Sequence, residues 1–180
     1  MAADKKDSSL SGQSKSPTLF TPRLKAHEVV RENVETPPLS TFLLFHELMS
    51  SIGAGLSIAS TTEALRNSQV PAEVVPKLAD RLKTDQKGML ALLRISESTF
   101  YRRRQSGKLS SDEADRIYRY IRLFTFATTM FHGDAGAARE WLGSPAYAFD
   151  RKTPLQHASS EIGAHEVETL IGRIAHGIPS

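Results

Sequence analysis

Residues 110 to 131 constrain the fold of this chain more than any other stretch. Ser110-Ser111-Asp112-Glu113 has the form of a capping box, in which the serine and glutamate side chains each satisfy a backbone N–H that the first helical turn leaves orphaned. Behind it, Ala114, Ile117, Tyr118, Ile121, Phe124, Thr125, Thr128 and Phe131 recur at spacings of three and four, the signature of one buried helical face. A helix of about six turns with such a face needs neighbours along its whole length, so it forms the backbone of the fold.

The neighbours read as helices too. Ser40 is a plausible N-cap for Phe42, Leu43, Phe45, Leu48, Met49 and Ile52, with Gly53 and Gly55 as the stop. That apolar face is broad enough for the core of one chain or for a dimer interface. Ser60-Thr61-Thr62-Glu63 reads as another capping box. Val75, Leu78, Ala79 and Leu82 share a face, and Pro76 fits only in a first turn, which places the start near Val74 or Val75. Asp134 caps Ala135 to Leu142, which stops at Gly143 and Pro145. Thr153-Pro154-Leu155-Gln156 combines a capping box with proline at the first helical position. Gly163 is expected to close that turn before a last helix carrying Val167, Leu170, Ile171 and Ile174. No segment alternates as a strand does, and the expected fold class is all-α. Residues 1–38, rich in Ser, Lys and Asp and broken by Pro17, Pro22, Pro37 and Pro38, read as a flexible tail that buries too little to offset its ordering entropy. Residues 39–131 and 132–180 are the expected folded regions.

Charge separates those regions. Between Lys77 and Lys108 nine basic residues face only Asp80, Asp85 and Glu97, whereas from residue 132 onward four basic residues meet six acidic ones. A basic middle suits a polyanion, and an acidic end suits a different partner. With no cysteine, disulfides and thiolate metal sites are excluded. The longest apolar run, Phe42 to Ile52, is too short to span a bilayer and contains His46 and Glu47, and the N-terminal lysines have no apolar segment behind them. The expected setting is the cytoplasm, with no membrane partner.

Residues 84 to 106 supply the clearest functional signal. A short apolar helix ends near Leu93, a turn follows, and a second helix begins behind Ser96, which can accept from the N–H of Ser98 or Thr99. Ile95 and Phe100 stand at the two positions of a hydrophobic staple, which makes Phe100 the inward anchor. This is the layout of a helix-turn-helix, whose second helix lies in the DNA major groove. Ser98, Thr99, Arg102 and Arg103 are then candidates for base contact, since arginine can pair bidentately with guanine, and Lys87 and Arg94 are candidates for phosphate contact. The competing reading of Arg102 to Arg104 alone is a solvated helix face. One detail runs against the layout: the residue leaving the first helix commonly needs the left-handed conformation that glycine supplies, and Arg94 stands there.

Leu93-Arg94-Ile95-Ser96, Thr99-Phe100-Tyr101-Arg102-Arg103, Gly107-Lys108-Leu109-Ser110, Glu113 and Arg116 resemble the helix-turn-helix of Xre/MbcA/ParS-type antitoxins. Ala138, Trp141-Leu142, Pro145, Thr153-Pro154-Leu155, Gly163-Ala164, Val167, Leu170, Arg173-Ile174 and Gly177 resemble that family's C-terminal domain, so the likeness spans roughly residues 72 to 178. It implies an antitoxin that binds operator DNA as a homodimer, represses its own operon and neutralises a cognate RES-domain toxin that consumes NAD. Toxin binding would then fall to Trp141 and Leu155, as scaffold of the docking surface, and to His176, Gly177, Ile178, Pro179 and Ser180 in the toxin's cleft. Read without the resemblance, that tail is a frayed terminus. The chain departs from the family pattern at Arg94, at Asp150-Arg151 where glycine is usual, and at His157-Ala158 where two leucines are common; residues 1 to 70 lie outside it.

Catalytic chemistry is not expected. There is no phosphate loop, nucleophile elbow or close carboxylate pair in a pocket setting. His157, Glu161 and His165 have helical spacing, but Gly163 is expected to interrupt that helix, so no metal site and no cofactor are expected. The alternative to an antitoxin is a stand-alone helix-turn-helix regulator whose C-terminal domain binds a ligand or another protein.

Overall fold

A computed structural model describes residues 39–51, 63, 67 and 69–177. The N-terminal tail, the Gly53 and Gly55 stop, Ser60 to Thr62 of the first capping box, and Ile178 to Ser180 lie outside the described residues, as do the side chains of Phe42, Phe45, Leu48 and Ile52.

The described elements are helices: α1 (Leu39–Ser51), α2 (Val74–Leu82), α3 (Gln86–Leu93), α4 (Glu97–Ser106), α5 (Ser111–Met130), α6 (Ala135–Gly143), a 3-10 turn at Tyr147–Phe149, α7 (Pro154–His157) and α8 (Glu161–Ala175). Among the described residues the extended pairing is one isolated bridge between Pro71 and Lys108, reinforced by the Leu109 N–H donating to the Val70 carbonyl at 2.8 Å. It ties the entry of α2 to the exit of α4. No helix of the described residues is long and apolar enough to cross a membrane.

The α5 helix is the axis. Both halves of the Ser110/Glu113 capping box form, and Ile117, Tyr120, Ile121 and Leu123 are fully buried along it. Toward its C-terminal end the buried Thr125, the half-buried Thr128 and the exposed Thr129 return their hydroxyls to carbonyls four residues back, at 2.9, 2.7 and 3.0 Å. A buried hydroxyl without such a partner would be costly. Helices α1, α2, α3, α6 and α8 all pack on α5. On α1, Met49 is buried while Leu43 is about half exposed.

Helix ends follow local chemistry. Val74 and Val75 begin α2 and Pro76 sits in its first turn, where no intrahelical donor is lost. Asp85 caps α3 by accepting from Gly88, Asp134 caps α6 from Gly136 and Ala137, and Thr153 and Gln156 form the α7 box around Pro154. One expectation fails. Gly163 does not close a turn; Ser160 caps α8 and Gly163 is its third residue. A Cβ there would lie 2.0 Å from the His157 carbonyl oxygen, so glycine serves the close approach of α7 to α8.

Candidate DNA-reading face and toxin-docking end

The turn between α3 and α4 is built from backbone geometry first. Arg94 adopts φ 53°, ψ 43°, donating its N–H to the Ala91 carbonyl, while Ile95 donates to the Leu90 carbonyl at 2.9 Å. These are the two bonds of a Schellman helix end, made here with arginine in the left-handed position at a cost of about 1–2 kcal/mol. Two α5 side chains hold the turn from below. Arg116 donates to the Leu93 carbonyl at 2.8 Å, and the Tyr120 hydroxyl lies 3.0 Å from the Leu92 carbonyl and 3.3 Å from that of Leu155. Burial pushes the Tyr120 phenol up to about 12, against the lowering pull of Arg119 and Arg94, so it stays a donor.

Ser96 caps α4 by accepting from the Thr99 N–H at 3.1 Å, and Ile95 and Phe100 are both buried, as the staple requires. With that anchor fixed, each expected contact residue has a definite place. Ser98 is exposed, with its hydroxyl 3.0 Å from that of Ser96; Thr99 is half-buried, 3.4 Å from the Arg102 guanidinium; Arg102 and Lys87 are exposed. Arg103 turns inward. Its Nε lies 2.8 Å from the buried Glu113 carboxylate, which also accepts from the Ser110 N–H, though the Arg103 N–H is not aligned for a hydrogen bond to it. Arg94 is exposed, with its guanidinium 3.3 Å from the Ser159 hydroxyl in the α7–α8 connection. Spacing alone marks none of Gln86, Glu97, Tyr101 and Arg104 as a contact residue. Together with Leu90 and Phe100 they line a shallow groove between α3 and α4.

At the other end, Trp141 and Leu155 lie in the core rather than on the surface. His176 and Gly177 are exposed past the end of α8, and φ +67° at Gly177 turns the chain off the helix axis. Asp150 and Arg151 take φ 51° and 63°, which is why glycine suits those places. His157 stacks on Phe149 with ring centroids 4.3 Å apart and contacts Glu166. Glu161 is turned to α5, where it meets Arg119 and Arg122, each at 2.7 Å; Arg122 also meets Glu168 at 2.6 Å. Burial pushes the Glu161 carboxyl upward, but hydrogen bonds and charge from Arg122 and Arg119 outweigh it and hold the carboxyl below its ordinary value. His157 and Glu161 therefore face different partners, and among the described residues no cluster of three ligand-type side chains could hold a metal ion.

Residues 63–122 match the model of the antitoxin Xre-like helix-turn-helix domain, and residues 126–177 that of the antitoxin Xre/MbcA/ParS C-terminal toxin-binding domain. Both matches reach into α5, with residues 123–125 between them. The chain is 33% identical over 135 residues to the protein named Antitoxin Xre of Photorhabdus laumondii, covering 74% of this chain and 90% of that one. Over 83 residues it is 36% identical to Antitoxin Xre of Yersinia enterocolitica, covering 46% of this chain and 56% of the relative. Over 69 residues it is 36% identical to Antitoxin Xre of Pseudomonas putida, covering 38% and 43%.

Proposed function

Since the chain belongs to the Xre antitoxin family, we propose that it is the cytoplasmic antitoxin of a type II pair that neutralises an NAD-consuming RES-domain toxin by direct binding and represses its own operon as a homodimer. The observation that carries this reading is the order of the two matched domains on one chain, joined through the shared helix α5. Residues 39–131 serve dimerisation and operator binding, and residues 132–180 bind toxin. A helix-turn-helix reads two half-sites most naturally as a two-fold dimer, and α1, with Leu43 exposed beside a buried Met49, is a suitable place for it.

On the DNA side, Arg102, Ser98 and Thr99 face the bases and Lys87 a phosphate, while Arg103 and Arg94 hold the motif in shape. At the other end, Trp141 and Leu155 brace the docking surface from within, and residues 176–180 enter the toxin's NAD cleft. An inhibitory peptide of this kind needs little chemistry of its own: small residues for access and a scaffold that holds it. The exposure of His176 and the turn at Gly177 suit that role.

The test is co-expression of the full chain with the adjacent toxin reading frame, scored by growth and by cellular NAD. Rescue of both is expected. A chain lacking residues 178–180 should keep operator binding but lose inhibition of NAD consumption. Full inhibition by the truncated chain would overturn the cleft-blocking role, and failure of the intact chain to protect NAD would overturn the toxin assignment.

A further inference from the structure

The charges on the recognition helix divide into those that already have partners and those that do not. Arg103 meets Glu113 and Arg104 lies 3.8 Å from Glu73, which leaves Arg102 as the exposed guanidinium without a carboxylate among the described residues. The same inventory turns up an acid. Glu97 is the first residue of α4, it is exposed, and no described residue pairs with its carboxylate. It shares the α3–α4 groove with Gln86, which is the first residue of α3, and with Tyr101 one turn further along.

A negative charge here runs against the basic surplus of residues 77–108. Phosphates repel it, so a helix whose task was affinity alone would do better without it. The first turn of a recognition helix is, however, the part that reaches base edges. A carboxylate offers acceptors only, and the complementary edge in the major groove is the exocyclic amine of cytosine. We propose that Glu97 is a specificity determinant that accepts from the N4 amine of a cytosine in each half-site, with Gln86 beside it at the groove edge. The carboxylate lowers affinity for every other base and so sharpens the choice. This rests on the operator-reading function proposed above. The competing account is that Glu97 only stabilises the positive end of the α4 dipole, a role that affects stability and is blind to base sequence.

The two accounts separate by selection of the full-length protein on a library of randomised duplex oligonucleotides at fixed salt, comparing wild type, Glu97→Gln, Glu97→Ala and Arg102→Ala. Wild type is expected to enrich one cytosine per half-site. Glu97→Gln exchanges a pure acceptor for a donor–acceptor pair that fits adenine, so that position should move from cytosine to adenine. Glu97→Ala should lose the preference there by about tenfold or more while holding random-sequence DNA more tightly than wild type does. If both Glu97 variants keep the wild-type preference at every position, the role in reading is overturned even where their melting temperatures fall. Arg102→Ala marks the underlying function: it should change a different position, or abolish enrichment. Wild-type protein that enriches no sequence overturns operator reading itself, and this proposal with it.

Discussion

The α4 helix and the α5–α8 contact carry the same kind of side chain to opposite ends. On α4, Arg102 stands in solvent with no carboxylate near it among the described residues. On α5, Arg119 and Arg122 are mostly covered and close on Glu161 and Glu168 across the interface with α8. Counting basic residues along the sequence treats these as alike. What separates them is whether an acidic helix face lies within reach, so positive charge is available to a polyanion at one place and serves as an internal clamp at the other. Arg103 is the intermediate case, on the recognition helix yet turned down to the buried Glu113.

Trp141→Ala should show the largest effect. It removes a buried aromatic from α6, which packs directly on α5, at a cost of about 3–5 kcal/mol. Because α5 is common to both halves, thermal denaturation should lose the DNA-reading and toxin-binding regions in a single transition. Two resolved transitions, with operator binding surviving the first, would break the view that one core serves both.

Arg102 and Arg103 are adjacent in sequence and should fail differently. Arg102→Ala should leave the melting temperature nearly unchanged and weaken operator binding by about 1–3 kcal/mol in a mobility-shift assay. Arg103→Ala leaves the Glu113 carboxylate buried beside the α5 cap without its counter-charge, so folding stability should fall, by about 1–3 kcal/mol given the half-exposed guanidinium. Equal losses of stability in both variants would erase the distinction between a free and a committed arginine.

Helix starts were legible in the sequence because a cap is a local event. Ser96, Ser110, Asp134 and Thr153 each bond within three residues, and the capping pattern alone locates them. The pairings of the arginines were not legible, since Arg122 and Glu168 lie 46 positions apart and only the packing of α8 on α5 joins them. Gly163 was misread for the same reason: a glycine that admits a neighbouring helix looks, in one dimension, like a glycine that ends one. For the candidate site, spacing indicated the helix and its outward positions, but a count of arginines hid the inward turn of Arg103, and attention to positive charge passed over Glu97. The 3-10 turn at Tyr147–Phe149 carries no periodic signal of its own and was missed.

A smaller effect tests the turn between α3 and α4. Arg94→Gly and Arg94→Ala both lose the contact to Ser159, and only the glycine is at ease at φ 53°. Glycine should therefore be more stable than alanine by about 1 kcal/mol, the reverse of their order inside a helix. Alanine matching glycine in chemical denaturation would mean that the left-handed turn does not persist in solution.

The smallest effect belongs to the clamp and concerns acid. Arg122 and Arg119 hold the folded-state carboxyl of Glu161 below its ordinary value, so folding favours the charged form. A depressed carboxyl contributes stability above its unfolded-state pKa of about 4.3, and that contribution is lost as pH falls through the lower folded-state value. Glu161→Gln cannot titrate, so wild type should exceed the variant in stability near neutrality and converge on it below about pH 4. With the Glu161 side chain 61% exposed, water screens the pair, and the gap should stay under about 1 kcal/mol. The measurement is the difference in denaturation midpoint between the two proteins from pH 7 down to pH 3. A difference that does not change with pH would mean that α8 is held to α5 by its apolar face, through Val167, Leu170 and Ile171, and that the buried end of the comparison owes nothing to charge.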